Sequence, residues 1–166
     1  MRTDNTSGRM QAGPGRFILW TVLAVLLDLL TKQLAVSFLN GRDGLPVIPG
    51  IFELLYVENR GAAFGILPDR QILFIPAAVL IILIAGYAFT HSGKKIYRLI
   101  AVMMGAGAAG NLIDRLFCGY VRDFLYFSLI DFPVFNVADI YVTVSCVLLI
   151  LLILTEKERD VHETDH

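Results

Sequence analysis

Charge is scarce in this chain of 166 residues: 17% are Asp, Glu, Lys or Arg, 56% are hydrophobic, and the mean hydropathy is +0.66. Soluble domains carry about a quarter charged residues, so a water-soluble globule is excluded and the chain reads as an integral membrane protein. Basic excess is missing too. The formal net charge is −1, which sets aside nucleic acid as a partner, because that binding needs clustered Lys and Arg against phosphate. Cysteine is limited to Cys118 and Cys146. They share no short metal-ligand spacing and one falls in an apolar run, so neither a zinc site nor a disulfide framework is expected, and both read as small apolar fillers. No internal repeat or low-complexity segment is visible.

What is present is long apolar runs. A helix needs about 20 residues to cross the hydrocarbon core, and Phe17 to Leu39, Gln71 to Thr90, Ile96 to Ile113 and Val137 to Leu154 meet or approach that. Open strands are excluded as spans, because their edges leave backbone groups unpaired in lipid. The fold class is therefore all-α integral membrane, a bundle of four transmembrane helices in a single membrane domain. Arg2, Arg9 and Arg16 precede the first run as in a secretory signal. That run exceeds the ~7–15 residues of a signal's apolar region, and Val36-Ser-Phe-Leu-Asn40 has no Ala-x-Ala-like cleavage pattern, so it is expected to be retained. Lys and Arg are dense in the amino tail, in the turn and helix start with Lys94, Lys95 and Arg98, and in the carboxyl tail with Lys157 and Arg159. They are sparse in the longer loops, about 40–70 and 114–136. Both termini are thus expected to be cytoplasmic, with the long loops outside, on the periplasmic face in a bacterium. Turn residues at Gly41 to Gly44, Pro46, Pro49-Gly50 and Pro68-Asp69 surround Ile51 to Val57, which favours a strand, so a small extracytoplasmic β element is expected.

Polar residues stand out against this background. Asp28 and Lys32 are four apart near the middle of the first span and so share a helical face. Their cost in lipid requires them to pair inside the bundle, either for packing or at an active site. In the third span Ala101, Gly105, Ala108 and Ala109 let another backbone approach closely. That helix is expected to end at Gly110-Asn-Leu-Ile-Asp-Arg115, with Asp114 and Arg115 as an interfacial cluster. Further on, Asp123 and Asp139 flank one short segment, with Asn136 three residues before the second. Loop aspartates often cap helices, and Asp139 precedes the last span as an N-cap would. The other reading is a carboxylate pair that shares one proton, activating a water and protonating a leaving amine. That chemistry needs no metal and no covalent intermediate, in loops that hold no Ser-His or Cys-His pair. His162-Glu-Thr-Asp-His166 imitates the zinc-protease pattern, but it ends the chain in a polar tail with no scaffold and no third ligand.

Together these motifs resemble lipoprotein signal peptidase, the type II signal peptidase of bacteria. Asp28-Leu-Leu-Thr-Lys32, Asn59-Arg-Gly-Ala-Ala-Phe64, Gly107-Ala-Ala-Gly-Asn-Leu-Ile-Asp-Arg115, Gly119-Tyr-Val-Arg-Asp-Phe124 and Phe135-Asn-Val-Ala-Asp139 follow the family's order. The resemblance covers about residues 17–155. Ala106 stands where the third-helix motif often has Gly, and Arg122, where an apolar residue is common, puts a charge near the two aspartates. The resemblance implies an inner-membrane aspartyl endopeptidase that cuts diacylglyceryl-modified prolipoproteins just before the lipidated cysteine. It implies Asp123 and Asp139 as the catalytic pair. Asn59, Gly61, Asn111, Arg115, Asn136 and Ala138 match positions that position substrate or support the site, while Asp28, Lys32 and Asp114 are structural polar residues. Neither metal nor cofactor is implied, and no obligate protein partner is evident; the partners are prolipoproteins and membrane lipids. The strand-like 52–57 stretch and the 59–64 turn are expected to line or cover the site.

Two other readings remain from the residues: a small transporter, since charges within a span often mark ion paths, and a silent scaffold whose aspartates only cap. A chain ending at Lys157 is expected to keep full peptidase activity in a precursor-cleavage assay; loss of cleavage on that truncation revives the zinc reading.

Overall fold

The computed structural model describes the backbone of residues 13–61 and 71–164, and the side chains of 13–61 and 74–156. Helices α1 (Pro14–Leu39), α2 (Gln71–His91), α3 (Lys95–Phe117) and α4 (Val137–Thr164) form the bundle, and all four contain segments long and apolar enough to cross a membrane. Strands β1 (Leu45–Ile48), β2 (Phe52–Asn59) and β3 (Val121–Tyr126) form an antiparallel sheet in that order at one end.

Apolar residues cover every side of α1, so its inward face is marked by what cannot face lipid. Phe17, Thr21, Val25, Asp28, Lys32, Ala35 and Leu39 are buried, a three- and four-residue spacing that draws one stripe. Between them Leu23, Leu26 and Leu30 stay about half exposed, turned to the lipid. The helix starts at Pro14, whose fixed φ and missing N–H suit the first helical position.

Helix α3 packs against the other three, and its small residues are the reason. Ala101, Gly105 and Ala108 are buried as the small-residue stripe predicts, yet the tightest approaches fall at Gly107 and Gly110. A Cβ on Gly107 would lie 2.5 Å from the Ala138 carbonyl oxygen of α4, and one on Gly110 would collide with the Asp28 carboxylate of α1. Phe17, Ala85, Phe89, Ala101 and Val102 fill the end of the bundle remote from the sheet, with the Phe17 and Phe89 rings 5.5 Å apart.

Two boundaries differ from the sequence expectation. Helix α3 does not stop near Ile113 but runs to Phe117, and the Cys118 N–H still bonds the Asp114 carbonyl at 2.8 Å. Asp114 and Arg115 read as a helix end because charge is costly in lipid; here Asp114 is wholly buried and finds cations on both sides. The helix is broken afterwards by Gly119, whose φ of +77° suits a residue without Cβ. The second difference is β3, expected as loop. It exists because β2 offers it an edge, pairing Val57 with Asp123 and Asn59 with Val121. Strand β1 stands where a turn is expected around Pro46, and that proline is tolerated because β1 lies at the sheet edge beside a register shift. The sheet is seated on α1 through Phe124, Ala35 and Leu39.

Gly110→Ala is expected to destabilise the bundle by about 1–3 kcal/mol, the usual cost of overpacking, because the added methyl displaces the Asp28 carboxylate. Thermal unfolding in detergent checks this, and an unchanged Tm contradicts the packing described.

Candidate active site

The site is built outward from Lys32. Its ammonium lies 2.8 Å from Asp28 Oδ2 and 3.3 Å from Asp114 Oδ2, with all three side chains fully buried. It also donates to Asn111 Oδ1 at 2.9 Å. Asp114 takes a second cation: Arg122 Nη2 and Nε donate to Oδ1 at 2.6 and 3.1 Å, and the Arg122 backbone N–H donates to Oδ2 at 3.0 Å. Asp28, Lys32, Asp114 and Arg122 thus form a neutral row in which each carboxylate has a cation, the condition for burying charge. Arg122 therefore does not approach the two aspartates as the sequence suggested. Successive residues of a strand point to opposite faces, so Arg122 turns to Asp114 and, at 3.4 Å, to Gln33 Oε1, while Asp123 turns the other way.

Lysine only donates, so its bond fixes the Asn111 amide: Oδ1 faces Lys32, and Nδ2 donates to Asp139 Oδ1 at 2.8 Å. Asn111 Oδ1 also accepts from Asn136 Nδ2 at 3.1 Å, and that same nitrogen donates to Asp123 Oδ1 at 2.6 Å. The other Asp123 oxygen accepts from Asn59 Nδ2 at 2.9 Å, while Asn59 Oδ1 is held by the Gly61 N–H at 2.9 Å. Asn59, Gly61, Asn111, Asn136, Asp123 and Asp139 are therefore joined in one hydrogen-bond network. Ala62 to Phe64 of the same motif lie outside the described residues, as does the structure of the His162 to His166 side chains.

The start of α4 explains the position of Asp139. Asn136 is the N-cap: its Oδ1 accepts the Asp139 N–H at 3.0 Å, and Asp139 Oδ2 accepts the Asn136 N–H at 3.1 Å. This is a reciprocal capping box, and Asp139 occupies its third helical position, not the cap itself as the sequence suggested. The intervening Ala138 N–H donates to Asp28 Oδ1 at 2.9 Å. Ala138 is fully buried, and a Cβ on Gly107 would lie 2.5 Å from its carbonyl oxygen and one on Gly110 3.4 Å from its Cβ. Arg115 is near enough to interact electrostatically with both aspartates. Its Nη1 donates to the Asn111 carbonyl at 3.3 Å, and its guanidinium lies 5.0 Å from the centre of the Phe74 ring.

Asp123 and Asp139 face a cleft of about 470 Å³ that also receives Asn59, Asn111 and Arg115. Phe127, Phe132 and Phe135 wall one side, Phe127 stacked on Phe135 at 5.7 Å and Phe132 edge-on to it at 5.8 Å, and Ile140, Thr143 and Val144 continue the lining along α4. Larger hollows lie elsewhere among the described residues and hold neither aspartate. Asp123 is 2% exposed. Burial, then the neighbouring Asp139 carboxylate, push its pKa up to about 7 against the opposing bonds from Asn59 and Asn136. Among the described residues no three His, Cys, Asp or Glu side chains gather as metal ligands. Sequence reading missed the aromatic wall and the Arg122–Asp114 pair. The Phe density between Phe124 and Phe135 was the available signal for the first, and the second had none.

A polar network at one end of four helices long and apolar enough to cross a membrane, opening on an apolar cleft, is the architecture of a polytopic membrane protein with an enclosed polar site. The chain matches the family described as "Signal peptidase (SPase) II" over residues 20–155. It is 41% identical over 147 residues to the lipoprotein signal peptidase of Streptococcus pyogenes serotype M5 (strain Manfredo), a match covering 86% of this chain and 95% of that relative. The lipoprotein signal peptidase of S. pyogenes serotype M3 (strain SSI-1) matches to the same extent. A solved structure reported as "Bacterial membrane enzyme structure by the in meso method at 2.3 A resolution" aligns with a TM-score of 0.80 and 31% identity, over 87% of this chain and 91% of that one. Another, at 1.9 A, gives 0.70 and 33%, over 84% and 93%. The chain belongs to the signal peptidase II family: it is a membrane-spanning protease that removes signal peptides from prolipoproteins.

Arg122→Val is expected to lower the Tm in detergent by removing charged hydrogen bonds to Asp114, about 1.5–3 kcal/mol. Arg122→Lys restores part of it. A valine variant as stable as the parent contradicts the pairing.

Proposed function

We propose that this protease is an aspartyl endopeptidase in which Asp123 and Asp139 activate water, without a metal, to cut a diacylglyceryl-modified prolipoprotein just before its lipidated cysteine. The observation that carries the reading is the joining of a buried carboxylate, Asp123, and a half-buried one, Asp139, by one asparagine, Asn136, at an apolar cleft. Both termini lie on the cytoplasmic side of the inner membrane and the pair on the periplasmic side, as the Lys and Arg distribution favours.

The environments divide the work. Asp139 sits in the first turn of α4, where the positive end of the helix dipole favours a carboxylate. Asp123, pushed up to about 7, holds the shared proton near neutrality. With one proton on the pair, its single negative charge balances Arg115. Asp139 takes a proton from water as the water oxygen bonds the scissile carbonyl carbon, and Asp123 protonates the carbonyl oxygen. On collapse the C–N bond breaks, Asp139 passes its proton to the leaving amine, and the intermediate's hydroxyl returns a proton to Asp123. Asn59, Asn111 and Asn136 keep the carboxylates aimed, with Gly61 and Ala138 fixing Asn59 and the start of α4. The signal helix lies along Ile140, Thr143 and Val144, leaving the diacylglyceryl chains in the bilayer. Asp28, Lys32 and Asp114 support this framework and do not meet the substrate.

Cleavage of a diacylglyceryl-modified precursor in detergent containing a chelator tests the reading. Asp123→Asn and Asp139→Asn each lower the rate roughly 100-fold or more, the scale of general acid–base catalysis, while remaining folded. Either variant cleaving at the parental rate would sink the dyad. The rate is expected to fall as pH rises through about 7, where Asp123 gives up the proton it must donate. Stability follows the same direction. The folded state holds this proton more tightly than the unfolded chain, whose carboxyl keeps the ordinary aspartate pKa of 3.8. Stability therefore declines from about pH 4 upward through about 7 and levels off above it.

A further inference from the structure

The charge balance of the buried row does not account for every contact of Lys32. Asp28 lies 2.8 Å from the ammonium, and Asp114 is already taken by Arg122 through Nε, Nη2 and the backbone N–H. Yet the ammonium also donates to a neutral group, Asn111 Oδ1, at 2.9 Å. The same oxygen accepts a second bond, from Asn136 Nδ2 at 3.1 Å, so both of its lone pairs face donors. Turning the Asn111 amide over would set its NH2 against an ammonium and against another NH2. Asn136 is fixed in the same sense, because its Oδ1 accepts the Asp139 N–H at 3.0 Å. The hydrogens that remain on the two amides point at the carboxylates: Asn111 Nδ2 at Asp139 Oδ1, 2.8 Å away, and Asn136 Nδ2 at Asp123 Oδ1, 2.6 Å away. Lys32 is thus one amide from Asp139 and two from Asp123.

We propose that Lys32 is a positioning residue of the peptidase reaction: it holds the Asn111 amide with its donor toward Asp139, so that Asp139 is kept as the base of the pair and Asp123 as the acid. This role rests on the reading of Asp123 and Asp139 as the catalytic dyad. A hydrogen bond donated to a carboxylate favours its charged form, whereas a reversed Asn111 would offer Asp139 an oxygen and repel it. Among the described residues, the charged side chains that act on the pair are each other's carboxylates, Arg115 of α3 and Lys32 of α1, with Asp28 and Asp114 behind Lys32. Arg115 lines the cleft, where substrate enters. Lys32 is wholly buried and lines none of it, so it is the cation whose bond an entering substrate does not displace. A lysine that only tied α1 to α3 would affect stability; one that sets an amide beside the base affects turnover of the folded enzyme.

The test measures kcat, KM and the pH profile of precursor cleavage by the full chain in detergent, with folding followed by thermal unfolding. Lys32→Met/Asp28→Asn removes the ammonium without stranding the Asp28 charge. Lys32→Gln/Asp28→Asn removes the charge but leaves an amide able to donate to Asn111. The methionine variant loses kcat by up to about 100-fold, the cost of a catalytic group misplaced by about 1 Å, with KM unchanged. The glutamine variant recovers part of that loss. In both, the alkaline limb expected through about pH 7 moves to higher pH, because loss of a nearby cation favours the protonated form of Asp123. On an Asn111→Ala background neither pair of substitutions lowers kcat further, since the connection is already cut. The proposal is overturned if either folded variant keeps the parental kcat and limb, or if its loss multiplies with that of Asn111→Ala. If one variant fails to fold, the other decides; failure of both marks a residue needed for the bundle itself and also overturns the proposal. Asp123→Asn and Asp139→Asn are assayed alongside. Should they cleave at the parental rate, the dyad itself falls; should they be inactive while the Lys32 variants match the parent, the dyad stands and only the role of Lys32 falls.

Discussion

An ammonium group sealed from water sets the terms on which this bundle is built. Lys32 cannot be placed beside lipid without several kcal/mol of penalty, so it draws Asp28, Asp114 and Asn111 around itself. That gathering fixes how α1 meets α3. Because Asp28 also receives the Ala138 N–H, it fixes the start of α4 as well. The close approach this demands is why glycine is needed at 107 and 110. Coulombic satisfaction and steric clearance are here one constraint seen from two sides.

The sheet does for Asp123 what the helices do for Asp139. A short strand over the mouth of the bundle would be poorly held by backbone bonds alone. Arg122 ties β3 to the buried row through both main chain and side chain, and Phe124 sinks into the cluster with Ala35 and Leu39. With its neighbours anchored on one face, Asp123 has no freedom left but to present itself to the other. Part of the precision of the pair thus comes from Arg122 and Phe124, which do not line the cleft.

How much of this could be read from the chain depends on range. The apolar runs announce four helices, since length and hydropathy are local properties. The residues of the site were legible through motif order, and Asp28 with Lys32 through helical spacing. The sequence could not reveal Asp123 as a strand residue, because β3 owes its existence to β2, some sixty positions earlier. Asp114 looked interfacial since its two cations, Lys32 and Arg122, come from distant segments. The capping reading of Asp139 is off by three residues for a simpler reason: Asn136 and Asp139 are both good capping types, and only geometry shows that Asn136 accepts the Asp139 N–H.

The capping box at the head of α4 has a consequence for biogenesis. Asp139 acquires its place only when the last helix has formed its first turn, and that turn is completed by Asp28 from the first helix. Asn59 and Asn111, from the segments between, close the remaining valences. A chain that ends before α4 therefore has the Asn59–Asp123 and Lys32–Asn111 contacts available to it but not the link through Asn136 to Asp139. Only the packing of the last helix against the first brings the two aspartates into one network, so a copy that lacks α4 lacks the network as well.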